Sequence, residues 1–352
     1  MTSMPATLPD KLQHVRNDYL ELMQACLTGS VYRDPAEAPF GPNTFDSHHR
    51  EHGLDWPSHA ETMIGEKRLA NVRTLTEAVI ADNVPGDLIE TGVWRGGACI
   101  MMRAVLYAYN VGDRYVWVAD SFEGLPRANE PQYPEDAGSD FHTYEQLAVS
   151  LDEVRENFRA YGLLDEQVKF LKGWFKDTLP TATIGRLALM RLDGDMYEST
   201  MDALINLYPK LSNHGYVIID DYHVVPACKA AVTDYCDKHG IKPEIIEIDG
   251  VGVYWRKSDG VERERTFIQT NQAAASQDSQ ITQLSEDIAR LNRTVMTRLN
   301  QSLVERDAQI APLRRALADR DAELAALYLS YSWKMEKRIR AIAKSVRAIL
   351  GR

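Results

Sequence analysis

The sequence predicts an α/β protein built on a doubly wound, mostly parallel sheet, preceded by an N-terminal helical and lid segment and followed by C-terminal coiled-coil helices. Three observations predict it. Short apolar runs of strand length alternate with helical patterns from residue 60 to residue 255. Two of those runs end in paired acids, Asp193 with Asp195 and Asp220 with Asp221. Beyond residue 257 the alternation stops, and a polar stretch leads into heptad spacing.

The paired acids organise the rest. In an open α/β sheet, ligands collect outside the carboxyl ends of the strands. Four carboxylates converging there repel one another unless a cation holds them, and hard oxygen donors suit Mg²⁺ or Ca²⁺. The plainer alternative is that each acid caps the helix that follows. That accounts for one acid at each strand end and leaves the second of each pair unexplained.

In chain order, residues 1–58 begin with a helix from Leu12 to Leu27, its apolar positions near Val15, Tyr19, Leu20, Leu22, Met23 and Cys26. A stretch dense in Pro, Gly, His and Asp follows from Asp34 to Pro57; it reads as a surface excursion or a lid. The α/β domain spans 59–257 and opens with a helix over 60–82. Pro85 to Ala98 reads as strand, Gly-rich turn and helix start. Such a turn lets backbone approach a ligand closely and is not a phosphate-binding loop of the Gly-x-x-x-x-Gly-Lys type. The next strand, Tyr115 to Asp120, ends in an acid 28 residues beyond Gly92, placed to accept hydrogen bonds from both hydroxyls of a ribose. That pairing points to an adenosine-type cofactor. Residues 127–145 read as a second mobile cover. A helix from Leu147 to Tyr161, a strand from Val168 to Leu171 and a loop from Lys172 to Asp177 follow. Helices are expected over Ser199 to Leu211 and Pro226 to His239, and an antiparallel pair around Asp249-Gly250 closes the sheet.

Residues 258–280 read as a linker, 281–330 as a coiled coil with Ile281, Leu284, Ile288, Leu291 and Val295 on its seam, interrupted at Pro312. A homo-oligomer is the expected consequence; a hairpin packed on the body is the alternative. Residues 331–352 read as a basic amphipathic helix, with seven Lys/Arg against one Glu from Trp333 onward. Such a helix suits an anionic membrane surface, an acidic partner, or the protein's own acidic body.

The net charge of −11 excludes a general nucleic-acid binder. Cys26, Cys99, Cys228 and Cys236 lack zinc-type spacing and read as reduced thiols. No signal peptide and no membrane-spanning run is visible, so a cytoplasmic protein is expected, with the basic tail the feature that would allow peripheral contact at the inner membrane face.

Several runs together resemble the macrocin O-methyltransferase family: Ala60-Glu-Thr-Met-Ile-Gly-Glu-Lys-Arg-Leu69, Ile89-Glu-Thr-Gly-Val-Trp-Arg-Gly-Gly97, Ala119-Asp-Ser-Phe-Glu-Gly-Leu-Pro126, Leu192-Asp-Gly-Asp-Met-Tyr-Glu-Ser199 and Ile218-Ile-Asp-Asp-Tyr222. The resemblance covers roughly residues 12–256 and excludes the tail. It implies a class I methyltransferase with a Rossmann-like sheet, dependent on S-adenosylmethionine and Mg²⁺ and methylating sugar hydroxyls. By similarity, Asp193, Asp220 and Asp221 are the metal ligands and Asp195 the general base. Met63, Glu90, Thr91, Gly92, Arg95, Asp120, Ser121, Trp174, Phe175 and Asp193 fall on the cofactor side. His142, Tyr197 and His223 are substrate-side candidates on position alone.

The tail departs from the simplest family members. It suggests a surface polysaccharide or glycolipid sugar as acceptor, with a glycosyltransferase or membrane contact. Two alternatives stand beside that expectation: a natural-product deoxysugar enzyme whose tail oligomerises, and a coiled-coil scaffold in a glycan-assembly complex.

Overall fold

A computed structural model describes residues 8–258, with isolated helical positions at Pro312, Arg320 and Lys337. The expected coiled coil and basic helix otherwise lie outside the described residues. Residues 1–263 form one compact unit and 264–352 another. Among the described residues, no helix is long and apolar enough to cross a membrane.

Seven strands form one sheet: β1 (Asp87–Thr91), β2 (Val116–Asp120), β3 (Val168–Lys172), β4 (Leu187–Leu192), β5 (Leu211–Ile219), β6 (Ile246–Glu247) and β7 (Val253–Arg256). Their order is β3-β2-β1-β4-β5-β7-β6. β3, β2, β1, β4 and β5 pair in parallel, and β7 joins β5 antiparallel with β6 at the edge. The chain reverses its direction of travel across the sheet between β1 and β4, the switch point at which ligands gather in such folds.

Period-two alternation decides which side chains face which layer. Leu88, Leu189 and Ile218 point into a core shared with α1 (Leu8–Leu27), α3 (Gly65–Ala81), α4 (Gly97–Ala108) and α5 (Leu151–Ala160). Their neighbours Ile89, Met190 and Ile219 face the opposite core, shared with α7 (Tyr197–Leu207) and α8 (Pro226–Lys238). α4 lies against both α1 and α3, so it is buried almost all round, from Gly97 through Leu106.

Local chemistry moves several element ends from their expected places. The helix expected over 60–82 begins at Gly65, where a side chain would collide with the backbone of Gly53. Ser150 caps α5 by accepting from the Glu153 N–H, so that helix starts at Leu151 rather than Leu147. The run expected as one helix to Leu211 ends as α7 at Leu207; Pro209 sits in a tight turn that hands the chain to β5. The excursion of residues 34–57 holds a short helix, α2 (Ser47–His52), and the loop after β3 holds α6 (Phe175–Thr178).

That excursion is pinned rather than loose. Arg50, 1% exposed, donates to both oxygens of Asp55 and to the carbonyls of Thr28 and Asp34. Asp34 in turn accepts from the backbone N–H of His59 and Ala60 and from His59 Nδ1. Burial raises the Asp34 carboxyl's pKa, but these hydrogen bonds outweigh it and leave a net lowering.

Candidate active site

The carboxyl ends of β1, β2, β4 and β5 open into one cavity of about 340 Å³. Its floor is the Gly-rich turn after β1. Gly92 lies at φ +81°, and a Cβ there would come within 1.7 Å of the Asp193 carbonyl oxygen. Only glycine lets the β1 turn lie on the end of β4. Gly92→Ala should therefore lower unfolding free energy by about 3 kcal/mol or more. A reduced denaturant midpoint with unchanged slope would register it.

Asp120, at the end of β2, ties two turns together. Its carboxylate accepts from Val93 N–H at 2.7 Å and from Phe122 N–H at 2.7 Å. Burial raises its pKa, and the backbone donors counter that in part. Ser121, Met63, Trp174 and Phe175 line the same cavity.

On the other side, Asp193, Asp195 and Asp221 bring ligand-type oxygens within 4.8 Å of one another. Asp221 Oδ2 is buried without a hydrogen-bond partner. Burial, then Asp193 and Asp220, pushes the Asp195 carboxyl up to about 8. Asp221 is driven well above its ordinary range by burial and by the acids around it, Asp195 foremost. Asp193 is raised by burial and by Asp220 against the pull of Arg191. Although 24% of its side chain still faces the cavity, the dense surroundings decide the direction. Three carboxylates so placed, one with an orphaned oxygen, fit a hard divalent cation.

Asp220 is held differently. One oxygen accepts from Arg191 Nη2 and the other from Arg68 Nη1. Burial alone would raise its carboxyl, but the two guanidiniums lower it overall. Arg191 also donates to Glu90 and, at 2.8 Å, to Asp193. Glu90 accepts further from the Cys99 thiol; burial lifts it to about 7 despite the guanidinium. Arg68 reaches Asp249 as well, at 3.0 Å.

The cavity thus gathers Met63, Glu90, Gly92, Asp120, Ser121, Trp174, Phe175, Asp193, Asp195, Asp220 and Asp221. Thr91 lies beneath it with a buried, unpartnered hydroxyl. Arg95 points away, donating to the carbonyls of Pro57 and Ala60 and so fastening the N-terminal segment to the turn. Tyr197 bonds Asp234, and His223 lies 3.4 Å from Glu247; neither lines the cavity. His142 is also outside the lining, its Nδ1 buried without a partner.

The sequence reading missed Arg68 and Arg191; for Arg191 the available signal was its place among apolar neighbours in β4, whereas Arg68 follows Glu66 and Lys67 and gave none. A buried cation in a strand implies buried anions beside it. It also missed the aromatic cover, in which Phe40 stacks on Trp56 with ring centres 3.7 Å apart and Tyr144 meets both edge-on. A further cover contact comes from Asp136, whose carboxylate accepts from the N–H groups of Tyr197 and Glu198 in the first turn of α7.

Comparison with known proteins places this geometry. The family model described as Macrocin-O-methyltransferase (TylF) matches residues 16–257. The chain is 57% identical over 244 residues to the demethyldecarbamoylnovobiocin O-methyltransferase of Streptomyces niveus, covering 68% of this chain and 93% of that one. It is 51% identical over 245 residues to the mycinamicin III 3''-O-methyltransferase of Micromonospora griseorubida, covering 68% and 96%. The solved structure of the O-methyltransferase NovP superposes with a TM-score of 0.67 at 56% identity, covering 69% of this chain and all of the other.

Proposed function

The chain belongs to the macrocin O-methyltransferase family, and we propose that it moves a methyl group from S-adenosylmethionine to a sugar hydroxyl with the help of a divalent cation. The observation that carries this reading is the convergence of Asp193, Asp195 and Asp221 on a cavity that the Gly92 turn and Asp120 also line.

Asp120 would take the ribose hydroxyls, with Ser121 beside it, while the Gly92 turn leaves room for backbone contact. Trp174 and Phe175 supply flat apolar surface suited to an adenine, and Met63 packs from the N-terminal side. Asp193 and Asp221 would hold Mg²⁺, with Asp220 contributing through lone pairs its guanidinium partners leave free. A bound divalent cation supplies Lewis acidity that lowers the pKa of an attached hydroxyl. Asp195 is the base that receives the hydroxyl proton. Arg191 keeps Glu90, Asp193 and Asp220 fixed in a part of the protein that could not otherwise carry three acids.

The acceptor reading follows residues 258–352, which lie outside the 16–257 match. We favour a surface polysaccharide or glycolipid sugar, with the tail oligomerising the enzyme and bringing it to a membrane or glycosyltransferase. The names of the relatives favour the second reading, an antibiotic deoxysugar. Transfer of labelled methyl to a host glycan extract and to small glycosides, with Mg²⁺ and with EDTA, separates these. Metal-dependent label in polymer or lipid-linked sugar is the expected result. Label confined to small glycosides would select the second reading, and label indifferent to EDTA would sink the metal role. Light scattering should show an oligomer that falls apart when the chain is ended at Lys257, with activity per site retained.

A further inference from the structure

The geometry points to a second cation site, outside the cavity, where His48, Glu51 and His52 would bind a borderline transition-metal ion of the Zn²⁺ type. The three residues stand at i, i+3 and i+4 on α2, the spacing that puts side chains on one helix face. Their ligand atoms lie within 4.8 Å of one another, and the two imidazole centres are 4.3 Å apart.

One imidazole is already oriented for the task. His52 Nδ1 lies 2.9 Å from the His48 carbonyl oxygen. A carbonyl can only accept, so Nδ1 carries the proton and Nε2 presents its lone pair outward. This is the arrangement found where a backbone carbonyl fixes the tautomer of a metal-bound histidine. That lone pair faces a cation now: Lys67 Nζ is 2.5 Å from His52 Nε2 and 3.4 Å from Glu51 Oε1. The ammonium already bridges two of the three donors, an intramolecular stand-in for an ion there.

The platform is stiff. Asp46 caps α2 by accepting from the His49 N–H, Gly53 closes it in the left-handed region, and Arg50 ties it to Asp55. Such support lowers the cost of holding three ligands in register. The donor set also separates this site from the acids in the cavity. Two imidazoles and a carboxylate form a three-ligand set for Zn²⁺, Co²⁺ or Ni²⁺, with water completing the shell, whereas all-oxygen donors suit Mg²⁺. Occupancy would release Lys67 from α2 and so unfasten one tie between α2 and α3, next to Gly53 and Leu54 at the cavity wall.

The test is titration of the full chain with Co²⁺ in saturating Mg²⁺, following the visible absorption of nitrogen-bound Co²⁺. Wild type, His48→Gln, His52→Gln and Lys67→Met would be compared. Affinity should fall at least about tenfold in either histidine variant. It should rise in Lys67→Met, because the competing ammonium is gone. Histidine variants that bind Co²⁺ as wild type does would overturn the site. So would a Lys67→Met protein that binds no more tightly, since the stand-in argument requires the gain.

Discussion

Asp195→Asn should cut methyl transfer by roughly 10²- to 10⁴-fold while leaving the fold at least as stable as wild type. The loss follows from removing the base. The retained stability follows from the surroundings, where burial and the neighbouring Asp193 and Asp220 disfavour a charge at this position. A neutral amide of the same shape relieves that repulsion. Asparagine is also the right probe for the backbone, because Asp195 sits at φ +56°, a region asparagine tolerates and alanine does not favour. Single-turnover transfer from labelled donor, read beside a thermal melt, checks both halves. Activity within tenfold of wild type would remove Asp195 from the mechanism.

Arg191→Met should be the most damaging change to stability, costing about 3–5 kcal/mol at neutral pH. The side chain is 1% exposed in the middle of the sheet and meets Glu90, Asp193 and Asp220. Methionine fills much of the space but leaves three carboxylates with one guanidinium, Arg68, reaching only Asp220. Their pKa values in the folded variant should rise. By linkage, a raised folded-state pKa of an acid favours folding at low pH and disfavours it as pH climbs toward that value. The variant should therefore recover part of its deficit on acidification toward pH 5, by more than wild type gains from its own raised acids such as Glu90 and Asp195. Urea melts at several pH values, compared as a difference from wild type, make the measurement.

The strands, their order of appearance and the acids at their ends were legible because each is a local pattern. Leu187–Leu192 followed by Asp193 is a buried strand meeting a polar loop, and no distant residue is needed to read it. Gly92 was legible as a turn, but not its reason: contact with the Asp193 carbonyl across the sheet. Arg68 and Arg191 were not legible as site residues, because Arg68 meets Asp220 across 152 positions and only packing brings them together. Arg95 shows the converse. Its place in the Gly-rich run suggested the cofactor side, whereas its guanidinium reaches back to Pro57 and Ala60. The helix expected from residue 60 failed to start there because Gly65 must pass against Gly53, a meeting of two segments that periodicity cannot see.

Asp136 ties residues 127–145 to the helix that follows the acid-bearing loop. Met196, the residue before α7, offers no side-chain cap, and the two N–H groups at the start of that helix are satisfied by a carboxylate 61 and 62 residues earlier in the chain. A helix-capping carboxylate is worth about 0.5–2 kcal/mol. Moving residues 127–145 away from α7 would cost that cap, a bias of roughly 2- to 30-fold toward the capped form from this contact alone. The helix left uncapped is the one entered directly from the Asp193–Asp195 loop. Loss of the Asp136 cap would be felt first where Asp193 and Asp195 sit, so the hold on residues 127–145 and the placing of the acids depend on one contact.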